Sequence, residues 1–300
     1  MLSLHTNSAA LSAQNSISRT QSSLSTSQTR LSTGFRVNSA MDDAAGLQIA
    51  TRLKAQTSGM AMAMRNTQNS ISLLQTGEGA MEETSAILIR MKDLATTSAD
   101  ASSTDADRTA QQAEFDALSN ELTNIVGNTS FGGTALFRAT TGTFQAASTF
   151  QIGASTDEKM DINLTSSVTN MTDKIVAAAT QFTFAGVAGL AGTDVTGGTA
   201  GTEVITSGAA NTTIDKLKDA IDAVGSLRSS LGAVSNRLDH VYNNLSNIST
   251  NTKAATGRIM DTDFAAESSN MTSSQMLLQA GTAMLKQSNS TSSLVMSLLQ

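Results

Sequence analysis

Side chains able to do chemistry are sparse in this chain and poorly grouped. His5 and His240 are the two histidines, and cysteine, proline and tryptophan are absent. Neither histidine has another histidine or a paired carboxylate at ligand spacing. No HExxH or calcium-loop pattern occurs, so no metal centre is expected. Asp261, Asp263 and Glu267 cluster, as do Asp42 and Asp43. Both groups fall where helical periodicity begins. Free N–H groups and the helix dipole attract carboxylates there, so these acids read as helix starts, not ligands. Nothing sets His240 beside a nucleophile and an orienting acid. It precedes the seam position Val241 and reads as a flanking surface residue, with Tyr242 a packing residue. There is no GxxxxGK(S/T) run, and the glycine-rich stretch 185–201 lacks the strand-then-helix frame of a phosphate loop. Sequons at Asn128, Asn163 and Asn211 are expected by chance in so Ser/Thr-rich a chain. The expectation is therefore no enzyme, no catalytic residues and no cofactor.

What the chain does contain is periodicity. Leu227, Leu231, Val234, Leu238, Val241, Leu245, Ile248, Thr252, Ala255 and Ile259 alternate steps of four and three. This heptad stripe implies a long helix wrapped against another with a left-handed twist. Residues 227–259 alone would span roughly 50 Å. The absence of proline suits such helices, and 14 methionines suit adaptable packing between them. The 300 residues carry a formal net charge of −6 with no Lys/Arg cluster, which weighs against nucleic acid as a partner. No run approaches a membrane span, so no membrane insertion is expected, and no cleavable secretory signal opens the sequence.

Taken in order, residues 1–33 carry Leu4, Leu11, Ile17, Leu24 and Leu31 among serine, threonine and glutamine. Such a helix is marginal alone in water and should gain order by packing with partners. Residues 1–40 hold three arginines and no acid, a charge of +3. Residues 261–300 hold Asp261, Asp263, Glu267 and Lys286, a charge of −2. Opposite signs favour pairing of the two ends. After Gly34, residues 34–46 read as an irregular link, with Asp42 or Asp43 capping a helix of about 44–99. Its seam is Leu74, Met81, Leu88 and Ala95, and Gly77 and Gly79 either bend it or admit a close neighbour. A third helix, ending near 126, carries Phe115, Leu118, Leu122 and Ile125. Gly127, Gly132 and Gly133 open a turn-rich region. Alternation of Phe144, Phe150 and Ile152 with Met160, Ile162 and Leu164 predicts a β-hairpin over 143–165. Residues 166–214 carry the weakest pattern: Thr169–Ala179 could be a short helix, and the glycine-rich 185–210 reads as either an exposed loop or a very small side domain. Helical periodicity resumes at Ile214. A last helix over 264–298 carries Phe264, Met271, Leu278 or its neighbour Leu277, and Leu285 or its neighbour Met284.

The fold class expected is mostly α, an elongated antiparallel coiled-coil rod with a β-hairpin and a small irregular middle. Its rod seam is Leu74, Met81, Leu88, Phe115, Leu118, Leu122, Leu227, Leu231, Val234, Leu238, Leu245 and Ile248.

Particular motifs then point to a family. Leu31-Ser32-Thr33-Gly34-Phe35-Arg36-Val37-Asn38-Ser39-Ala40, followed by Asp42-Asp43-Ala44-Ala45-Gly46-Leu47-Gln48-Ile49-Ala50, resembles the N-terminal signature of bacterial flagellins. Leu231-Gly232-Ala233, Asn236-Arg237-Leu238, Arg258-Ile259-Met260-Asp261-Thr262-Asp263 and Gln279-Ala280-Gly281-Thr282-Ala283-Met284-Leu285 are similar to its C-terminal region. The resemblance implies a secreted subunit of the extracellular flagellar filament, a homopolymer of many copies used for motility. It implies inner-core packing by Leu4, Leu11, Ile17, Leu24, Leu31, Phe264, Met271, Leu278 and Leu285. Its layout would be terminal helices 1–33 and 264–300, connecting spokes 34–46 and 257–263, a rod of 47–165 plus 211–256, and an outer region 166–210. Implied partners are the flagellar type III export apparatus, an export chaperone, the filament cap and the hook–filament junction proteins. In the family, an animal innate immune receptor recognises an epitope that falls here on Leu88–Ala95. Arg90 and Leu94 match its pattern, while Ile89, Lys92 and Asp93 depart from it. Competing readings are a hook–filament junction protein, or a non-flagellar coiled-coil scaffold or adhesin with ordered ends.

Overall fold

The computed structural model describes residues 7–138, 141–182 and 201–298, with side chains to 290. Leu4, His5 and most of the glycine-rich stretch lie outside these. Two compact units are present, Met1–Ser58 with Ser249–Gln300, and Gly59–Ile248. The helices are α1 (Ser8–Thr33), α2 (Ala44–Ala99), α3 (Asp105–Asn128), α4 (Thr165–Ala178), α5 (Ser207–Met260) and α6 (Phe264–Leu298). The strands are β1 (Ser130–Phe131), β2 (Thr134–Ala135), β3 (Ser148–Gln151) and β4 (Lys159–Ile162). The chain is mostly α-helical, with small hairpins.

In the unit of Gly59–Ile248, α2, α3, α4, α5 and the β3–β4 hairpin share one core. Leu74, Met81 and Leu88 of α2 meet Phe115 and Leu122 of α3, Met171 and Ile175 of α4, and Leu217, Leu227 and Leu231 of α5. Each such buried side chain contributes about 1.5–3 kcal/mol of transfer energy. α2 runs unbroken through Gly77 and Gly79. Gly77 admits a neighbour: a Cβ there would fall 2.8 Å from a ring carbon of Phe144. Phe144 in turn packs at a tilt of 54° against Phe137, with 5.4 Å between ring centroids. α3 starts with a reciprocal cap, in which Thr104 and Asp107 each accept from the other's backbone N–H.

Several boundaries differ from the sequence reading. The hairpin of 143–165 is narrower: Thr143–Gln145 form a 3-10 turn, and strand pairing covers Phe150↔Met160 and Ser148↔Ile162. Phe144 is buried in that turn, and its amide donates to the Leu136 carbonyl at 3.0 Å instead of joining the ladder. The turn-rich region holds a further tiny hairpin, β1–β2, around Gly132 and Gly133 at φ 58° and 84°. Positive φ at both central residues is what a tight two-residue hairpin turn requires. α4 starts at Thr165, ahead of the expected 169. α5 begins at Ser207, ahead of Ile214, because the small residue Ala210 already buries against the core. α5 also continues to Met260, so the link expected over 257–263 shrinks to residues 261–263.

In the terminal unit, α1 and α6 pack directly on each other. Gly34 ends α1 in the left-handed conformation at φ 76°, its N–H bonded to the Arg30 carbonyl at 2.8 Å. Asp43 caps α2 by accepting from Gly46 N at 2.8 Å. Asp42 instead braces the turn before it. Bonds from the Ser39 and Asn38 amides and the Ser39 hydroxyl hold its pKa below the ordinary carboxylate value. Phe35 and Asp261 pair as an isolated antiparallel bridge.

Candidate functional site

Asn7 caps α1, accepting from Ala10 N at 3.1 Å. Its amide also crosses to α6, donating to Ser288 O at 3.3 Å and Oγ at 3.2 Å. The inward row of α1 is Ala10, Ala13, Ile17, Thr20, Leu24, Ser27 and Leu31. That of α6 is Glu267, Met271, Ser274, Leu278, Gly281, Leu285 and Ser288. Both rows follow heptad steps, and both alternate apolar with small or polar residues. Leu277 and Met284 are exposed, while their neighbours Leu278 and Leu285 lie in the row. Apart from Ser27 and Glu267, these positions are half-buried.

The outer surface of the pair is apolar in places. Leu11 is 51% exposed, Met276 59%, Leu277 62% and Met284 68%. Leu11 thus leaves the row expected for it, because Ala10 and Ala13 hold the positions facing α6. Phe264 is likewise exposed, and no described residue of the chain covers it fully. Water-facing side chains of this size on helices without other business call for a partner.

Along Gly59–Ile248 the seam residues Leu74, Met81, Leu88, Phe115, Leu122, Leu227, Leu231, Val234, Leu238 and Leu245 are buried. Leu118 is half-buried against that core, and Leu245 belongs to a small second cluster with Met60 and Ala63. Ile248, read as a seam residue, is instead exposed. Of the two epitope positions, Arg90 is exposed and holds Glu114 at 2.7 Å, while Leu94 is buried.

One polar cluster had no signal in the sequence. The carboxylate of Glu203, 8% exposed, accepts from Gln112 Nε2 at 2.7 Å, Thr180 N at 3.0 Å and the Thr180 hydroxyl. Val204 N donates to Gln112 Oε1 at 2.8 Å, and Ser98 donates to the Val204 carbonyl. This fastens residues 203–204 to α2 and α3. Burial pushes the Glu203 pKa up, but the bonds from Thr180 and Gln112 outweigh it and the net shift is down. Asp116, also bonded to Gln112, is shifted up by burial and by the nearby Glu203 charge. The partners are polar and far apart in sequence, so no periodicity announces them.

Among the described residues no group of three or more His, Asp or Glu is placed to hold a metal ion, and no helix is long and apolar enough to cross a membrane. The arrangement is that of a mostly helical protein. Residues 4–142 match the family model of the bacterial flagellin N-terminal helical region, and residues 214–299 that of the bacterial flagellin C-terminal helical region. Flagellin A of Vibrio anguillarum is 36% identical over 381 aligned positions covering 100% of both chains, and polar flagellin B/D of Vibrio parahaemolyticus is 35% identical over 379 covering 99% of both. These alignments are longer than this chain, so both relatives carry stretches it lacks. The fold is also similar to that of a putative flagellar hook-associated protein from Vibrio parahaemolyticus, with 17% identity, a TM-score of 0.55, and coverage of 73% of this chain and 100% of that one. The chain belongs to the bacterial flagellin family. It is a self-assembling structural subunit of the extracellular flagellar filament.

Proposed function

We propose that the apolar groups left open on α1 and α6 are covered in the filament by the same helices of neighbouring copies. The observation that carries this is the exposure of Leu11, Met276, Leu277 and Met284 on helices that meet each other only through a half-buried row. Residues 1–33 and 264–300 are then the packing part of the subunit, with Ile17, Leu24, Leu31, Met271, Leu278 and Leu285 matched within a copy. Leu11 and Phe264 are matched between copies. Residues 34–46 and 261–263 act as spokes, 47–165 with 211–260 as the rod, and 166–210 as the outer region, with α4 seated on the rod core. Family membership supports delivery by the flagellar type III export apparatus with an export chaperone, and placement between junction proteins and a cap. The exposed Arg90 supports a contact with an animal innate immune receptor, with Leu94 acting from beneath by holding the helix surface in place.

Heat-dissociated protein tests the reading. On adding seeds, circular dichroism should show helix gain while electron microscopy shows hollow tubes, and deletion of residues 1–30 should abolish both. Growth of normal tubes by the truncated chain would reject it.

A further inference from the structure

The apolar rows of α1 and α6 do not by themselves fix how far one helix is slid along the other. α1 presents Ile17, Leu24 and Leu31, and α6 presents Met271, Leu278 and Leu285, each seven residues apart. A slide of seven sets apolar against apolar again, with a mismatch only at the ends. The other contacts do not repeat. Glu267, 8% exposed, accepts from Ser27 Oγ at 2.5 Å and faces Arg30 Nη1 at 3.8 Å. At Gly281 a Cβ would fall 2.9 Å from Ile17 Cγ1, so Ile17 seats where only hydrogen stands. The residues seven before and seven after Gly281 are Ser274 and Ser288, which offer no such space.

We infer that Glu267 is the register-determining residue of the terminal pair, with Ser27 and Arg30 as its receptor and Gly281 rejecting the neighbouring slides. A slide of seven sets Glu267 beside Thr20 or Gly34. The residue three further along is then Ser23 or Val37 in place of Arg30. Both slides take the carboxylate from Arg30 while leaving it in the seam, which is strongly unfavourable, whereas the native position satisfies it. A lone polar residue in a heptad seam is a known way of choosing register at some cost in stability. The polar seam is therefore not merely weak packing: Glu267 supplies the discrimination that the leucines cannot. The inference rests on the filament reading, since it concerns how each copy matches its own ends on assembly.

The chain has no cysteine, so introduced pairs report register directly. Asn7→Cys with Ser288→Cys reports the native register. Gln14→Cys with Ser274→Cys or Ser288→Cys reports the two slides. Filaments are treated with a thiol cross-linker shorter than the roughly 10 Å that a seven-residue slide moves a helix. Cross-links within one chain are then scored by gel mobility. With Glu267 intact, the native pair should cross-link and the slid pairs should not. Glu267→Leu should lower the native yield about threefold or more and raise the slid yields to match. The exchange R30E with E267R keeps an ion pair across the two helices that the native register alone forms, and should restore the native yield. An unchanged native yield in Glu267→Leu would overturn the inference. So would an exchange variant that slides, or fails to assemble, as Glu267→Leu does. If the cysteine pairs with Glu267 intact give no seeded filaments, it is the filament reading that fails instead.

Discussion

Replacing Leu277 by serine isolates the contribution of the outer apolar surface of α6. Leu277 is 62% exposed in the single chain, so most of its side chain has nothing to lose until a neighbour arrives. Full burial of a leucine side chain is worth about 1.5–3 kcal/mol; the part still open should thus contribute about 1–2 kcal/mol per subunit added. Each 1.4 kcal/mol is tenfold in an equilibrium constant, so Leu277→Ser should raise the critical concentration for growth about 5–30-fold. The unassembled chain should keep its melting behaviour, because an exposed substitution away from caps and the core shifts stability by about 0.5 kcal/mol at most. The assay is seeded growth followed by sedimentation, with the protein left in the supernatant taken as the critical concentration. Ser273→Ala, on an exposed position of the same helix, serves as the control. An unchanged supernatant concentration in Leu277→Ser, or an equal rise in the control, would refute the claim that this surface is buried between copies.

Other consequences are open to simpler measurements. Leu88→Ala, at a fully buried seam position, should destabilise the unit of Gly59–Ile248 by about 2–5 kcal/mol in thermal or denaturant melts. Gly77→Ala drives a methyl into the Phe144 ring and should cost about 1–3 kcal/mol by overpacking, offset by at most about 1 kcal/mol of helix propensity; a net gain in stability would contradict the close contact. Glu203→Gln should cost about 1–3 kcal/mol at neutral pH, since charge-assisted bonds become neutral ones. The sign with pH follows from the downward shift. The stability given by the Glu203 carboxylate is present above its unfolded pKa and is lost as pH falls through the lower folded value. Asp116, shifted up, works in the opposite sense, since its protonation on acidification relieves a cost. The gap in melting temperature between the parent and Glu203→Gln should therefore close in acid, and a gap constant with pH would rule the account out.

The parts of the fold legible in sequence were those where one residue type recurs at a fixed step or where a local cap declares itself. α2 could be bounded because Asp43 caps it and Leu74, Met81 and Leu88 keep a seven-residue beat. The β1–β2 hairpin is not legible in sequence because a strand of two residues has no period to show, and Gly132–Gly133 is its one sign. In α1 the row facing α6 holds Ala10, Ala13, Thr20 and Ser27, so counting large apolar residues put Leu11 inside when it faces out. Small residues mark a close helix contact as firmly as large ones, but they look like filler in a Ser/Thr-rich chain. The Gln112–Glu203 fastening and the Ser27–Glu267 contact join residues 91 and 240 positions apart. No local pattern carries such pairings.

The short bridge at residues 34–36 and 260–262 is made by the main chain. Arg36 N donates to Met260 O at 2.6 Å, and Thr262 N donates to Gly34 O at 3.0 Å. Because the peptide backbone supplies both donors and both acceptors, exchange of side chains there leaves the stitch intact at every position but Gly34, whose φ of 76° favours glycine. Only loss of an amide hydrogen undoes it, which makes proline at 36 or 262 the substitution to fear. In a chain that carries no proline anywhere, that vulnerability has been kept out of the whole length, and tension running between the ends of α1 and α5 has a seam that mutational drift scarcely touches.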